Sequence, residues 1–315
     1  MIYSRVFFVA STLPLKYILE NNQNKKNLII VKNHEIYKSY QFLKKEKKNI
    51  ELELLPKNFF LRLLIVFFFI IYYKFKNIRF TFFHECCWPE FDVIIKILNP
   101  RSFYIPIVTM KGFKNFNKEI RDINFKNILK LKFFKIFFNN LFTIYYRKNK
   151  KNYTFYFSFK RYPHKVKVKK FKIIIKDNKI KNKKILFLVS REFCENYEIV
   201  KLYKKISNIF KASGYKSYYK DHPNKNARLN VKFDEMSKIN PNKPFELMEN
   251  DFDYLVGCGS TPLSYKGSRS ISIIRLIKSY KEKTAKSRIE HMKSIYDGKE
   301  INFPVKIKDI INIIK

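Results

Sequence analysis

Short apolar runs alternating with helix-like stretches constrain this chain more than any other feature of it. Val6 to Ala10 reads as a first strand. Ser11-Thr12-Leu13-Pro14 then opens a helix over Leu15 to Glu20, with Ser11 or Thr12 as the cap and Pro14 in the first turn. Leu28 to Val31, Ile50 to Leu55 and Ile78 to Phe83 follow as strands. The pattern restarts at Ile185 to Val189, with a helix near Val200 to Phe210 and a strand near Tyr215 to Tyr219. A helix starting near Pro244 and a strand over Tyr254 to Val256 come next. Apolar strands separated by helices mark βαβ units and parallel sheets. Two α/β halves are therefore expected, over residues 1–165 and 185–315, joined by a linker over 166–184. Ten of the twenty residues from Lys165 to Lys184 are lysine, a composition that suits a solvated linker.

Composition closes off other classes. With 46% hydrophobic and 17% aromatic residues in 315, the chain can fill substantial cores, which excludes disorder. Four cysteines, of which Cys86 and Cys87 are adjacent, suit free thiols in a reducing compartment rather than a disulfide scaffold. Six glycines leave no room for a Gly-rich P-loop or a full G-x-G-x-x-G. The opening Met1 to Ala10 lacks the cationic head and cleavage site of a secretory signal, so a cytoplasmic location is expected.

The formal net charge of +40, from 66 basic and 26 acidic residues, invites a nucleic-acid reading. Lys, Asn, Ile, Phe and Tyr are abundant together, and all five are read from AT-rich codons. The basic residues are mostly Lys and lie along the whole chain, with no recognition-helix, zinc-finger or RNP-like pattern. No nucleic-acid partner is expected. A basic face on an anionic membrane or acidic polysaccharide fits better. The most apolar segment, Phe59 to Tyr73, is shorter than the ~20 residues of a bilayer span and is interrupted by Arg62. It reads as a helix buried between a sheet and its neighbours, or as a helix lying in the membrane interface.

Three short elements in the second half carry candidate chemistry. His222-Pro223 follows a strand end, where open α/β sheets place ligand groups, and Lys220 adds a further donor. A cationic imidazole there can offset charge on a departing phosphate. Pro244-Phe245-Glu246 offers a carboxylate either to ribose hydroxyls or to a helix N-terminus. Gly257-x-Gly259-Ser260-Thr261 ends a strand and is expected to open a helix, where amides and hydroxyls make an anion seat. The same hydroxyls also suit simple helix caps.

In order and spacing, Tyr219-Lys-Asp-His-Pro223, Pro244-Phe-Glu246 and Gly259-Ser-Thr261 resemble bacterial lipooligosaccharide sialyltransferases and capsular polysialyltransferases. The resemblance covers about Ile185 to Ile274, and Val9 to Leu15 looks like that family's first strand and loop. It implies a GT-B fold, two Rossmann-like domains facing across a cleft, with CMP-sialic acid on the C-terminal one. His222 would stabilise the departing CMP phosphate, Ser260 and Thr261 would bind it, Glu246 would hold the ribose, and Ser190 would line the pocket. The family needs no metal or other cofactor for transfer, and its acceptors are glycans or glycolipids made at the inner membrane face.

The family's acidic tripeptide for the general base is absent from the N-terminal half. Its best substitute is Phe83-His84-Glu85-Cys86-Cys87, directly after a strand, with Glu85 as base and His84 as alternative or partner. Both also suit a capping role. Zinc ligation by His84, Cys86 and Cys87 is disfavoured, since adjacent cysteines share a tetrahedral site poorly. A CDP-glycerol or CDP-ribitol phosphotransferase is the alternative enzyme class, though its second His-Gly motif is missing. A non-catalytic basic membrane-surface protein is the alternative outside enzymes.

Overall fold

The computed structural model describes residues 3–9, 12, 14, 15, 18, 19, 25–31, 33–84, 103–106, 182–192, 195–223, 225–229, 231–248, 251–260, 262, 263, 269–295 and 301–314. The chain divides into two compact units, Met1–Phe171 and Lys172–Lys315. Within the expected linker, Lys184 already begins a strand.

The first unit holds β1 (Arg5–Val9), β2 (Asn27–Val31), α1 (His34–Glu46), β3 (Ile50–Leu54), α2 (Phe59–Phe75), β4 (Arg79–His84) and β5 (Phe103–Pro106). The strands form one sheet of order β3-β2-β1-β4-β5, and every described pairing is parallel. Phe7, Phe8 and Val9 of β1 and Ile29, Ile30 and Val31 of β2 are wholly buried, as central strands covered on both faces require. Asn33 caps α1 by accepting from the Glu35 amide at 2.8 Å, and Asn58 does the same for Leu61 at 3.1 Å at the start of α2. Asn77, at φ 55°, ends α2 in the left-handed conformation that asparagine tolerates, and the Ile78 amide reaches back to the Tyr73 carbonyl.

Helix α2 is apolar apart from Arg62 and Lys74, but it is buried on one stripe only. Val66, Ile70 and Tyr73 face inward, at the spacing of one helical face. Phe60, Leu61, Leu64, Phe67, Phe68, Tyr72 and Phe75 are exposed, Phe75 to 83%. The expectation of a helix buried among neighbours therefore holds for one face and fails for the other. Among the described residues, no helix is long and apolar enough to cross a membrane.

The second unit holds β6 (Lys184–Val189), α3 (Asn196–Ala212), β7 (Lys216–Asp221), β8 (Ser237–Ile239), β9 (Tyr254–Gly257), β10 (Ser270–Ser272), α4 (Glu282–Ile295) and α5 (Ile307–Ile314). Its sheet runs β10-β9-β6-β7-β8, again all parallel. Counted within each unit, both sheets have the order 3-2-1-4-5. That is the doubly wound Rossmann order, and two such α/β units are the components of a GT-B protein.

Helix α3 buries Ile199, Tyr203, Ile206 and Phe210 on one stripe. Gly214 closes it at φ 81°, a conformation open to glycine, while the Tyr215 amide bonds the Phe210 carbonyl. Two expected helices are not found among the described residues. Near Pro244 there is only a 3-10 turn, Phe245–Leu247, and after Ser260 the described residues Pro262 and Leu263 form another.

Candidate functional site

In the second sheet the chain leaves β6 toward β7 and β8, then returns to add β9 and β10 on the other side. The reversal creates a switch point between β6 and β9, and ligands of open α/β sheets bind at the carboxyl ends of strands beside such a point. Ser190 follows β6, His222-Pro223 follows β7, and Cys258-Gly259-Ser260 follows β9. Register fixes their level: Val189 pairs with Asp221 and Leu188 with Gly257. Ser190 and two of the three expected elements, His222-Pro223 and Gly259-Ser260, thus follow strand ends on one edge of one sheet, while Pro244-Phe245-Glu246 lies in the connection between β8 and β9.

The His-Pro turn is held by its backbone. The His222 amide donates to the Val189 carbonyl at 3.0 Å, extending the ladder one residue beyond the strand. Arg228 clasps the turn from outside, donating from Nε to the His222 carbonyl at 2.9 Å and from Nη2 to the Pro223 carbonyl at 3.0 Å. The Arg191 amide bonds the Ala227 carbonyl at 2.9 Å, tying the loop after β6 to the same segment. His222 itself is exposed. A fixed turn with an exposed imidazole can present that ring to a ligand without reorganising.

Lys220 differs from its expected role. It lies in β7 and is 7% exposed, with Nζ donating to the Pro241 carbonyl at 2.8 Å. Its ammonium is thus turned inward against the backbone that follows β8, near the end of β7 where both faces are covered and Tyr219, Lys220 and Asp221 are all buried. Burial pushes its pKa down to about 8, against the opposing pull of the Glu246 carboxylate. Glu246, in the 3-10 turn, is therefore coupled electrostatically to β7 while remaining part-exposed. Asp221 meets Lys238 of β8 at 3.1 Å. A cavity of about 720 Å³ opens on this side, lined by Asp221, Arg228, Phe233, Asp234 and Lys238 among others.

At the switch point the sequence reading missed a residue. Glu192, two positions past Ser190, accepts from the Ser190 hydroxyl at 3.1 Å and from the Gly259 amide. A Cβ placed on Gly259 would lie 3.7 Å from both Glu192 Oε1 and Arg288 Nη1, so the two charged groups converge over that glycine. Burial pushes the Glu192 carboxyl above its ordinary value, opposed by Arg288, Ser190, the Gly259 amide and Tyr280. Its other oxygen, Oε2, is enclosed without a hydrogen bond of ordinary geometry. The same place was expected to offer amides and hydroxyls of a helix N-terminus. The structure instead puts an amide, a hydroxyl and a guanidinium around a carboxylate.

The sequence also spells one Asp-x-Asp, Asp251-Phe252-Asp253, a pattern that can bind metals. Asp253 is buried ahead of β9, its Oδ2 accepting from the Asn182 amide at 3.1 Å and the Lys184 amide at 3.4 Å. It lies at the amino end of the sheet, opposite the site, and fastens the start of β6. Among the described residues, no group of His, Cys, Asp and Glu has the arrangement of a metal site. Glu85, Cys86, Cys87 and Thr261 lie outside the described residues. His84 is the last residue of β4, paired with Pro106.

No family model matches the chain, and no curated protein matches it. Among solved structures, it is similar to the glycotransferase of kitacinnamycin, at 10% identity and TM-score 0.43, over 99% of this chain and 90% of that one. It is also similar to the glycosyltransferase SnogD from Streptomyces nogalater, at 7% identity and TM-score 0.34, over the whole of both chains. Likenesses this distant leave the fold to be argued from the two sheets themselves.

Proposed function

We propose that this protein is an inverting glycosyltransferase that moves sialic acid, or a related nonulosonate, from its CMP donor to a hydroxyl of a cell-surface glycan. The observation that carries the reading is the gathering of Ser190, His222 and Gly259-Ser260 on the carboxyl edge of one Rossmann-type sheet. His222 and Gly259-Ser260 belong to motifs whose order in the sequence resembles sialyltransferases, and the edge is where such sheets bind nucleotides. In this reading the donor binds the second unit and the acceptor binds the first.

In the reaction the acceptor oxygen attacks the anomeric carbon from the face opposite the phosphate. The new C–O bond forms as the bond to the CMP phosphate oxygen breaks, and the acceptor proton passes to Glu85. Negative charge gathers on the leaving phosphate, where His222, Ser260 and Thr261 stabilise it, while Glu246 holds the ribose. Stabilisation of the leaving group does not require a bound metal in this scheme. The exposed face of α2 supports a peripheral seat on the inner face of an anionic membrane, where glycolipid acceptors are built.

Purified protein should release CMP from CMP-sialic acid in the presence of a glycan acceptor and leave CDP-glycerol intact. His222→Ala should lower turnover by about 10²–10³, the scale of one lost charge-stabilising donor, with folding retained. CMP release from CDP-glycerol in place of CMP-sialic acid, or undiminished turnover by the variant, refutes the assignment.

A further inference from the structure

At the switch point of the second sheet a cluster of donors is met by the protein's own anion, the Glu192 carboxylate. A carboxylate is costly to enclose unless its surroundings are built for negative charge. Here the surroundings come from four separate places: the Ser190 hydroxyl after β6, the Gly259 amide after β9, Tyr280 ahead of α4, and Arg288 on α4. A hydroxyl, a backbone amide and a guanidinium converging on one point are the donors that a phosphate ester takes. Glu192 fits them incompletely, since Oε2 is enclosed without a hydrogen bond of ordinary geometry. A phosphate has one more acceptor oxygen than a carboxylate and a further fraction of charge.

We propose that Ser190, Gly259 and Arg288 form a phosphate-ester seat occupied in the free protein by the carboxylate of Glu192, which the ligand's phosphate displaces. Glu192 acts as an internal surrogate that holds the donors in place and competes with the ligand. The inference rests on the reading of this sheet edge as a nucleotide site. It adds Arg288 as a binding residue and Glu192 as a restraint on affinity.

The test is titration calorimetry of the full chain with CMP, AMP, UMP, cytidine and inorganic pyrophosphate. Removing the competing charge with the near-isosteric Glu192→Gln should tighten CMP and pyrophosphate by about tenfold, the scale of one screened unit charge, and leave cytidine unchanged. Arg288→Gln should weaken CMP and pyrophosphate by about the same factor. Circular dichroism and melting of each variant establish that it folds, and Glu192→Ala serves as a second form of the carboxylate deletion. Unchanged or weaker CMP binding by both folded Glu192 variants overturns the seat while leaving the donor reading intact. Tighter pyrophosphate binding with no preference for CMP over other nucleotides upholds the seat and overturns the donor reading. Failure of every variant to bind either phosphate probe overturns both.

Discussion

Lys220 and Glu192 illustrate how much a single residue's surroundings decide. Each carries a charge that its sequence neighbours do not explain, and burial moves their pKa values in opposite directions, down for the lysine and up for the glutamate. For Lys220 the sign of the stability effect follows directly. Its folded pKa of about 8 lies below the ordinary 10.5, so above pH 8 the unfolded chain holds a proton that the folded chain releases. Stability must therefore rise with pH in that window. Between pH 8 and 9.5 the gain should be about 2 kcal/mol, below the range in which tyrosines such as Tyr215, pushed up to about 12, ionise. Urea unfolding of the wild type against Lys220→Met over those pH values checks it: the variant's pH slope should be flatter, and equal slopes refute it. The inward turn of Lys220 was invisible in the sequence, because Lys220-Asp221-His222 reads equally well as strand or loop. The strand runs two residues further than its apolar pattern suggests.

Among the elements, α2 is the one whose sequence and setting disagree. A helix with apolar residues on every face, broken only by Arg62 and Lys74, belongs in a core or against lipid, yet its buried stripe is Val66, Ile70 and Tyr73. Its length of about 25 Å is bracketed by the exposed Lys57 and Lys76, and it contains no acidic residue. That combination suits a helix lying flat on an anionic bilayer, with lysines at the headgroups. A second copy is the poorer occupant, since it would bring another +40 to the same surface. Replacing the exposed Phe68 and Phe75 together by Ser should lower partition to vesicles of phosphatidylcholine and phosphatidylglycerol by about 10²-fold, with an unchanged melting temperature. Unaltered partition, or a dimer in light scattering that the double variant abolishes, refutes membrane docking. Strand positions and α3 were legible because buried strands and amphipathic helices have periods that a sequence displays. The helices expected after Pro244 and Ser260 were not, since a proline or a hydroxyl opens a 3-10 turn as readily as an α-helix. Glu192 and Arg288 escaped notice for a related reason. Nothing local distinguishes one glutamate or arginine among 92 charged residues until the sheet brings positions 192, 259 and 288 together.

For the whole molecule, the charge acts on stability more than on fold. A surplus of +40 on 315 residues repels itself in the compact state, and salt screens that repulsion. The melting temperature should rise by a few degrees between about 50 mM and 500 mM sodium chloride; a fall would show that attractive ion pairs outweigh the surplus. The sequence does display two α/β halves, but it does not reveal that their sheets share one strand order, because strand order is set by crossovers rather than by composition. That shared order bears on how the chain is made. In both units the strand synthesised first becomes the central one, pairing with the second strand on one side and the fourth on the other. β1 ends at Val9 and its second partner starts at Arg79, a gap of 79 − 9 = 70 positions. At ~5–20 residues per second of synthesis, one side of a strand that is apolar from Val6 to Val9 stands open for several seconds while the ribosome continues. The nascent chain is then most in need of a chaperone before β4 emerges, and the hazard returns when β6 waits for β9.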